Sequence, residues 1–247
     1  VCVIRCGGGK RLVDTVGKKI VSDKECKEYY ASKQPYGEWL DMHLVNLSEL
    51  SIPNKKVQEY SDDERARLYK VFGYTYEDLN EEILPMAKNG IEATASMGCD
   101  VPLAVLSEKH QLLFNYFKQL FAQVTNPPID ALREEIVTDT TVYVGSDGNL
   151  LDEKPDNCCV LKINNPILTS VDLMKIRSMN KPGFSVATVS LLYYVNTSLE
   201  KAIDRLFVEC DRAYKKGANI IILSDRGIDE NHVAIPSLLA VSAVEQY

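Results

Sequence analysis

Residues 186–195 read VATVSLLYYV, residues 199–215 read LEKAIDRLFVECDRAYK, and residues 219–224 read NIIILS. The first and last stretches are nearly all apolar and rich in β-branched or aromatic residues. That is the pattern of a strand covered on both faces, as in a parallel sheet. Between them, Leu199, Ile203, Leu206, Phe207, Cys210 and Tyr214 recur at helical spacing. Thr197 and Ser198 can cap the start of this helix and Gly217 its end. Residues 238–244 predict a second helix. Strand–helix–strand–helix with short connections is a βαβ unit and implies parallel pairing. The fold class is therefore α/β.

Upstream, residues 142–144 and 159–163 predict two further strands, the first running into a turn at residues 145–149. Residues 108–124 predict the best helix outside the βαβ unit. There Leu113, Phe117, Leu120, Phe121 and Val124 form one apolar stripe. Asn126-Pro127-Pro128 must stop it, because proline lacks a donor and disfavours helical geometry in the residue before it. Ser61-Asp62-Asp63-Glu64 is a capping box opening a short helix that Gly73 closes. Thr75-Tyr76-Glu77-Asp78 opens the next, which carries Leu79, Ile83 and Met86 and ends at Gly90. Near the amino terminus, residues 1–5 predict a strand, and residues 12–14 and 19–21 a hairpin. A capping box at Ser22-Asp23-Lys24-Glu25 then opens a helix carrying Tyr29 and Tyr30. Residues 34–56 are poorly periodic and read as a connector laid over a surface.

Bulk properties narrow the function classes. The chain has 247 residues, 45% of them hydrophobic, which suits one large or two small globular domains. No apolar run approaches the roughly 20 residues of a membrane span. No charged-then-apolar leader is visible, so the cytoplasm is the expected compartment. A net charge of −7 argues against a nucleic-acid surface. The seven cysteines, Cys2, Cys6, Cys26, Cys99, Cys158, Cys159 and Cys210, contain no C-x-x-C pair. Adjacent Cys158 and Cys159 cannot both face one metal without strain, and the only histidines are His43, His110 and His232. Reduced thiols, buried as small apolar side chains, are expected, and no metal site.

The motifs of common chemistries are missing: no P-loop, no G-x-G-x-x-G after either apolar strand, no G-x-S-x-G elbow. Two places remain. Ser224-Asp225-Arg226 follows a buried strand, where α/β folds place ligands. Asp225 could serve as a base and Arg226 could hold an anion; the alternative is that both pair with neighbouring loops. A stand-alone ligand-binding or enzymatic domain would use that sheet end. The other place is Thr125-Asn126-Pro127-Pro128-Ile129-Asp130, a corner stiffened by two prolines, with Asp130 able to cap a helix beginning near Ala131.

That corner carries a resemblance. Residues 121–130, FAQVTNPPID, closely resemble the central domain of the glutamate synthase large subunit. So do residues 96–107 (SMGCDVPLAVLS), Phe72-Gly73-Tyr74-Thr75, Gly148-Asn149-Leu150-Leu151, Asn165-Pro166-Ile167-Leu168 and residues 217–227. Leu12-Val13-Asp14-Thr15 and Pro35-Tyr36-Gly37-Glu38-Trp39-Leu40 resemble the segment arriving from the family's amidotransferase domain. The matches run in the family's order over nearly the whole chain. Residues 1–11 depart from the pattern, and Cys99 and Val101 stand where the family more often has Asp and Thr.

The resemblance implies a fragment of a multidomain enzyme that moves ammonia from glutamine to 2-oxoglutarate. Residues 1–60 would be a helical and hairpin connector, and residues 61–247 a central domain resembling a partial, rudimentary β/α barrel. Catalytic groups, FMN and an iron–sulfur cluster would belong to other domains of the parent, leaving none in this fragment. Its partners would be the amidotransferase and FMN-binding domains of the same subunit, with a small reductase subunit or ferredoxin for the parent. An internal ammonia passage is partly walled by this domain in the family. Thr125, Asn126, Ile129 and Asp130 are the candidates for that wall or for interdomain contact.

Overall fold

A computed structural model describes the chain except residues 1, 7, 8, 95–97, 99–101, 103, 110, 123–127, 147 and 150; residues 2–6 and 9–11 are described by backbone alone. In chain order, β1 (Cys2–Cys6), β2 (Gly9–Asp14) and β3 (Lys19–Val21) form an antiparallel sheet. Helices α1 (Asp23–Ala31) and α2 (Tyr36–His43) lead to the short strand β4 (Val45–Asn46). Helices α3 (Asp62–Val71), α4 (Leu84–Asn89) and α5 (Ala131–Val137) follow. Strands β5 (Val142–Gly145) and β6 (Val160–Ile163) come next, then helix α6 (Ser170–Arg177). The chain finishes with β7 (Val186–Ser190), β8 (Leu192–Tyr194), α7 (Leu199–Lys215), β9 (Ile220–Ser224), β10 (His232–Ala234) and α8 (Ser237–Gln246).

The chain separates into two compact units, Val1–Pro53 with Thr140–Tyr247, and Asn54–Asp139. In the first, β7 and β9 pair in parallel from Val186↔Ile220 to Ser190↔Ser224, with α7 crossing between them. Because side chains alternate along a strand, β9 serves two cores. Ile221 and Leu223 pack with Val189, Leu206, Cys210, Ile235 and Ala240, between the strands and α7 and α8. Ile220 and Ile222 join Leu50, Leu161, Ile163 and Ile176, beneath β6 and α6. The apolar run at 220–223 is thus needed on both faces. Leu206 and Ile235 are fully buried.

The uniform stretch 186–195 is two strands. Leu191 interrupts it: its N–H donates to the Ser224 carbonyl (2.8 Å) and its carbonyl accepts from Ile235 (3.0 Å). Beyond that point β8 pairs antiparallel with β10, a strand too short to announce itself. Across the described residues the strands make four small sheets, of two or three strands each, and no closed barrel.

In the second unit, Ser61 Oγ accepts from the Glu64 N–H while the Glu64 carboxylate accepts from the Ser61 N–H, the reciprocal box read in the sequence. Thr75 and Asp78 exchange the same pair of bonds (2.7 and 3.1 Å). The helix they open contains a wider π-type stretch at Asp78–Ile83 before α4. Gly73 (φ 69°) and Gly90 (φ 64°) end their helices in the left-handed region that favours glycine.

Among the described residues of 108–124 the expected helix does not form. There only a tight turn at Leu113–Phe117 is helical, and Phe117, Leu120 and Phe121 are exposed; residues 110, 123 and 124 lie outside the described residues. Asn, Tyr and Phe are indifferent helix formers, and an amphipathic stripe yields a helix only when something buries it. Among the described residues, every buried apolar side chain lies in the first unit.

Candidate functional site

The parallel register sets Ser190 and Ser224 side by side at the carboxyl ends of β7 and β9. Each hydroxyl accepts from a backbone N–H two residues on, Leu192 to Ser190 at 3.2 Å and Arg226 to Ser224 at 3.5 Å. The Ser224 carbonyl is taken by Leu191. Asp225 is half-buried and Arg226 exposed. Among the described residues neither side chain forms an ion pair. Ser224 thus ends β9 and Asp225 and Arg226 follow it directly, with their polar neighbours turned to closing the backbone.

Sequence reading passed over the group beside them. The Asp229 carboxylate accepts from the N–H of Asn231 and of His232, both at 2.8 Å. It also takes His232 Nδ1 at 2.9 Å. The Asn231 amide, then the imidazole, hold this carboxyl below its ordinary range. The His232 ring lies tilted against Tyr194, centroids 4.5 Å apart, because the β8–β10 register places the two residues opposite each other. The Asp-x-x-His spacing was the available signal: a carboxylate closing a turn onto its own backbone and fixing the tautomer of the imidazole that follows.

At the proline corner, Thr125 and Asn126 lie outside the described residues. Ile129 is half-buried. Asp130 caps α5: Oδ1 accepts from the Arg133 N–H at 3.0 Å and Oδ2 pairs with Arg133 Nε at 2.9 Å. Both carboxylate oxygens are thus occupied in starting the helix, which presents exposed Leu132, Ile136 and Val137.

Cys210 is buried in the core, and Cys26, Cys158 and Cys159 are half-buried and free. Burial pushes the thiols of Cys159 and Cys210 up, away from the thiolate that a nucleophile or metal ligand needs. Cys99 lies outside the described residues, as do the side chains of Cys2 and Cys6. Among the described residues no group of three or more His, Cys, Asp and Glu side chains could hold a metal ion. No described helix is long and apolar enough to cross a membrane.

The chain is mixed α/β; the hydroxyls at its sheet end close turns, and Asp130 caps a helix elsewhere in the chain. Comparison with known proteins identifies its family. Residues 67–247 match the family model described as the glutamate synthase central domain, and the chain belongs to that family. It is similar to the large chain of an NADPH glutamate synthase of Bacillus subtilis, 39% identical over 97% of this chain and 16% of that protein. It is also similar to ferredoxin-dependent glutamate synthase 2 of Synechocystis, 40% identical over 95% of this chain and 15% of that protein. A chloroplastic ferredoxin-dependent glutamate synthase of spinach is 36% identical over 98% of this chain and 15% of its own length. The chain thus spans only 15 or 16% of these relatives.

Proposed function

We propose that this chain is the linking module of a glutamate synthase large subunit, and that it works without catalytic groups of its own. On this reading it joins the glutaminase (amidotransferase) domain to the FMN-binding synthase domain. Residues 1–60 arrive as a connector and residues 61–247 form the central domain. The observation that carries the reading is the family match over residues 67–247, in a chain that spans 16% of its Bacillus subtilis relative. The parent enzyme, an oxidoreductase of glutamate biosynthesis and ammonia assimilation, forms glutamate from glutamine and 2-oxoglutarate. It carries FMN and an iron–sulfur cluster elsewhere and draws electrons through a small reductase subunit or ferredoxin. The cytoplasm is the proposed compartment.

The finer topology we propose is a rudimentary, partial β/α barrel. The parallel β7–β9 pair with α7 crossing between its strands supports this as one repeat of such an arrangement. In the same module, we propose, the corner containing Thr125, Asn126, Ile129 and Asp130 walls part of the ammonia passage. A water-poor route keeps ammonia neutral, because desolvation disfavours the ammonium form. The capping of α5 by Asp130 fixes the start of the helix that follows the corner.

Incubating the purified chain with glutamine, 2-oxoglutarate, FMN and reduced nicotinamide tests the division of labour. No turnover is expected. Glutamate formation, or glutamine hydrolysis by this chain, would instead favour an enzyme built on Ser224, Asp225 and Arg226.

A further inference from the structure

Residues 33–53 do not lie loosely on a surface. At one end a single oxygen of Glu153, Oε2, accepts from Lys33 Nζ at 3.1 Å and from the Tyr36 hydroxyl at 2.9 Å. Tyr36 opens α2, where its ring meets Trp39 edge to face, with centroids 5.5 Å apart. At the other end β4 adds in parallel to β6, Val45↔Leu161 and Asn46↔Lys162. Just beyond, Leu50 is buried in the core that contains Leu161 and Ile163. The segment is fixed in two places to residues more than a hundred positions later.

An exposed ion pair alone contributes little to stability. This one differs in its placement, since it and the β4–β6 pairing bracket one short helix. The hydroxyl and the ammonium both hold Glu153 below its ordinary carboxyl range, and Glu153 in turn raises Lys33 and Tyr36.

We propose that Glu153 is a positioning residue that pins α2, so that residues 33–53 act as a rigid strap instead of a flexible tether. This rests on the connector role proposed above. A strap fixed at both ends holds the domain that precedes it in one orientation, whereas a tether would let that domain wander.

The test uses the full-length parent polypeptide. Glu153→Ala should speed amide exchange across residues 36–46 by about threefold or more while leaving β7, β9 and α7 unchanged. It should also lower the glutamate formed per glutamine hydrolysed, with glutaminase kcat retained. Glu153→Gln, which keeps an acceptor for the Tyr36 hydroxyl, should recover part of both effects. Unchanged exchange over residues 36–46 overturns the pin. So does faster exchange with an unaltered product ratio, because the strap would then position nothing. Failure of the passage reading shows elsewhere, in the response to substitution of Thr125 and Asn126.

Discussion

Glu25, Glu64 and Asp172 each reach back to the residue that starts their helix. Glu25 and Glu64 accept from the backbone N–H and the hydroxyl of Ser22 and Ser61, and Asp172 does so from the hydroxyl and N–H of Thr169. These bonds favour the ionised form, and all three carboxyls lie below their ordinary values of 4.5 for Glu and 3.8 for Asp. A depressed folded pKa adds stability that is complete above the unfolded value and disappears as pH falls through the folded one. The three capping boxes should therefore weaken as pH drops below about 4.5 and continue to do so below about 3.8. A triple Glu25→Gln, Glu64→Gln, Asp172→Asn variant should show a shallower fall in thermal midpoint over that range. Parallel pH profiles for the two proteins would contradict this account.

At the scale of elements, burial decides what survives from sequence to structure. Leu206 on α7 is 0% exposed, and Leu206→Ala should cost about 2–5 kcal/mol in denaturant unfolding. Phe117, which the sequence placed on a comparable stripe, is 70% exposed, so Phe117→Ala should stay within about 0.5 kcal/mol. Similar costs for the two would restore the long helix over 108–124. The contrast also shows what was legible. Helix α7 could be read because its stripe, its Ser198 cap and the glycine after it agree, and because strands on either side supply a surface to bury it. The stripe at Leu113, Phe117, Leu120 and Phe121 had the same period, yet of these only Leu113 is half-buried and the other three are exposed. Strands β4 and β10, of two and three residues, carry no periodicity to read. They exist because Leu161 and Tyr194 already stand opposite them. The interruption at Leu191 was hidden too, since the chain changes partners there without changing its hydrophobicity.

At the scale of the whole molecule, the sequence was most informative where physical chemistry alone was least so. The corner at Thr125-Asn126-Pro127-Pro128 reads, from its residues, as a stiff turn ahead of a helix capped by Asp130. Its family membership rests on ten consecutive residues in a run of ordered matches, and the match over residues 67–247 bears that out. The Asp229–His232 turn was missed for the converse reason. Its local Asp-x-x-His spacing was present, but its ring contact with Tyr194 comes from the β8–β10 pairing, which the sequence separates by dozens of positions.

The decisive measurement is the ratio of glutamate produced to glutamine hydrolysed by the full-length enzyme, with Thr125 and Asn126 replaced by alanine. If the corner walls the ammonia passage, the ratio falls and ammonia appears in solution while glutaminase turnover persists. A wild-type ratio in that variant would show that the corner holds the module's shape and does not guide ammonia.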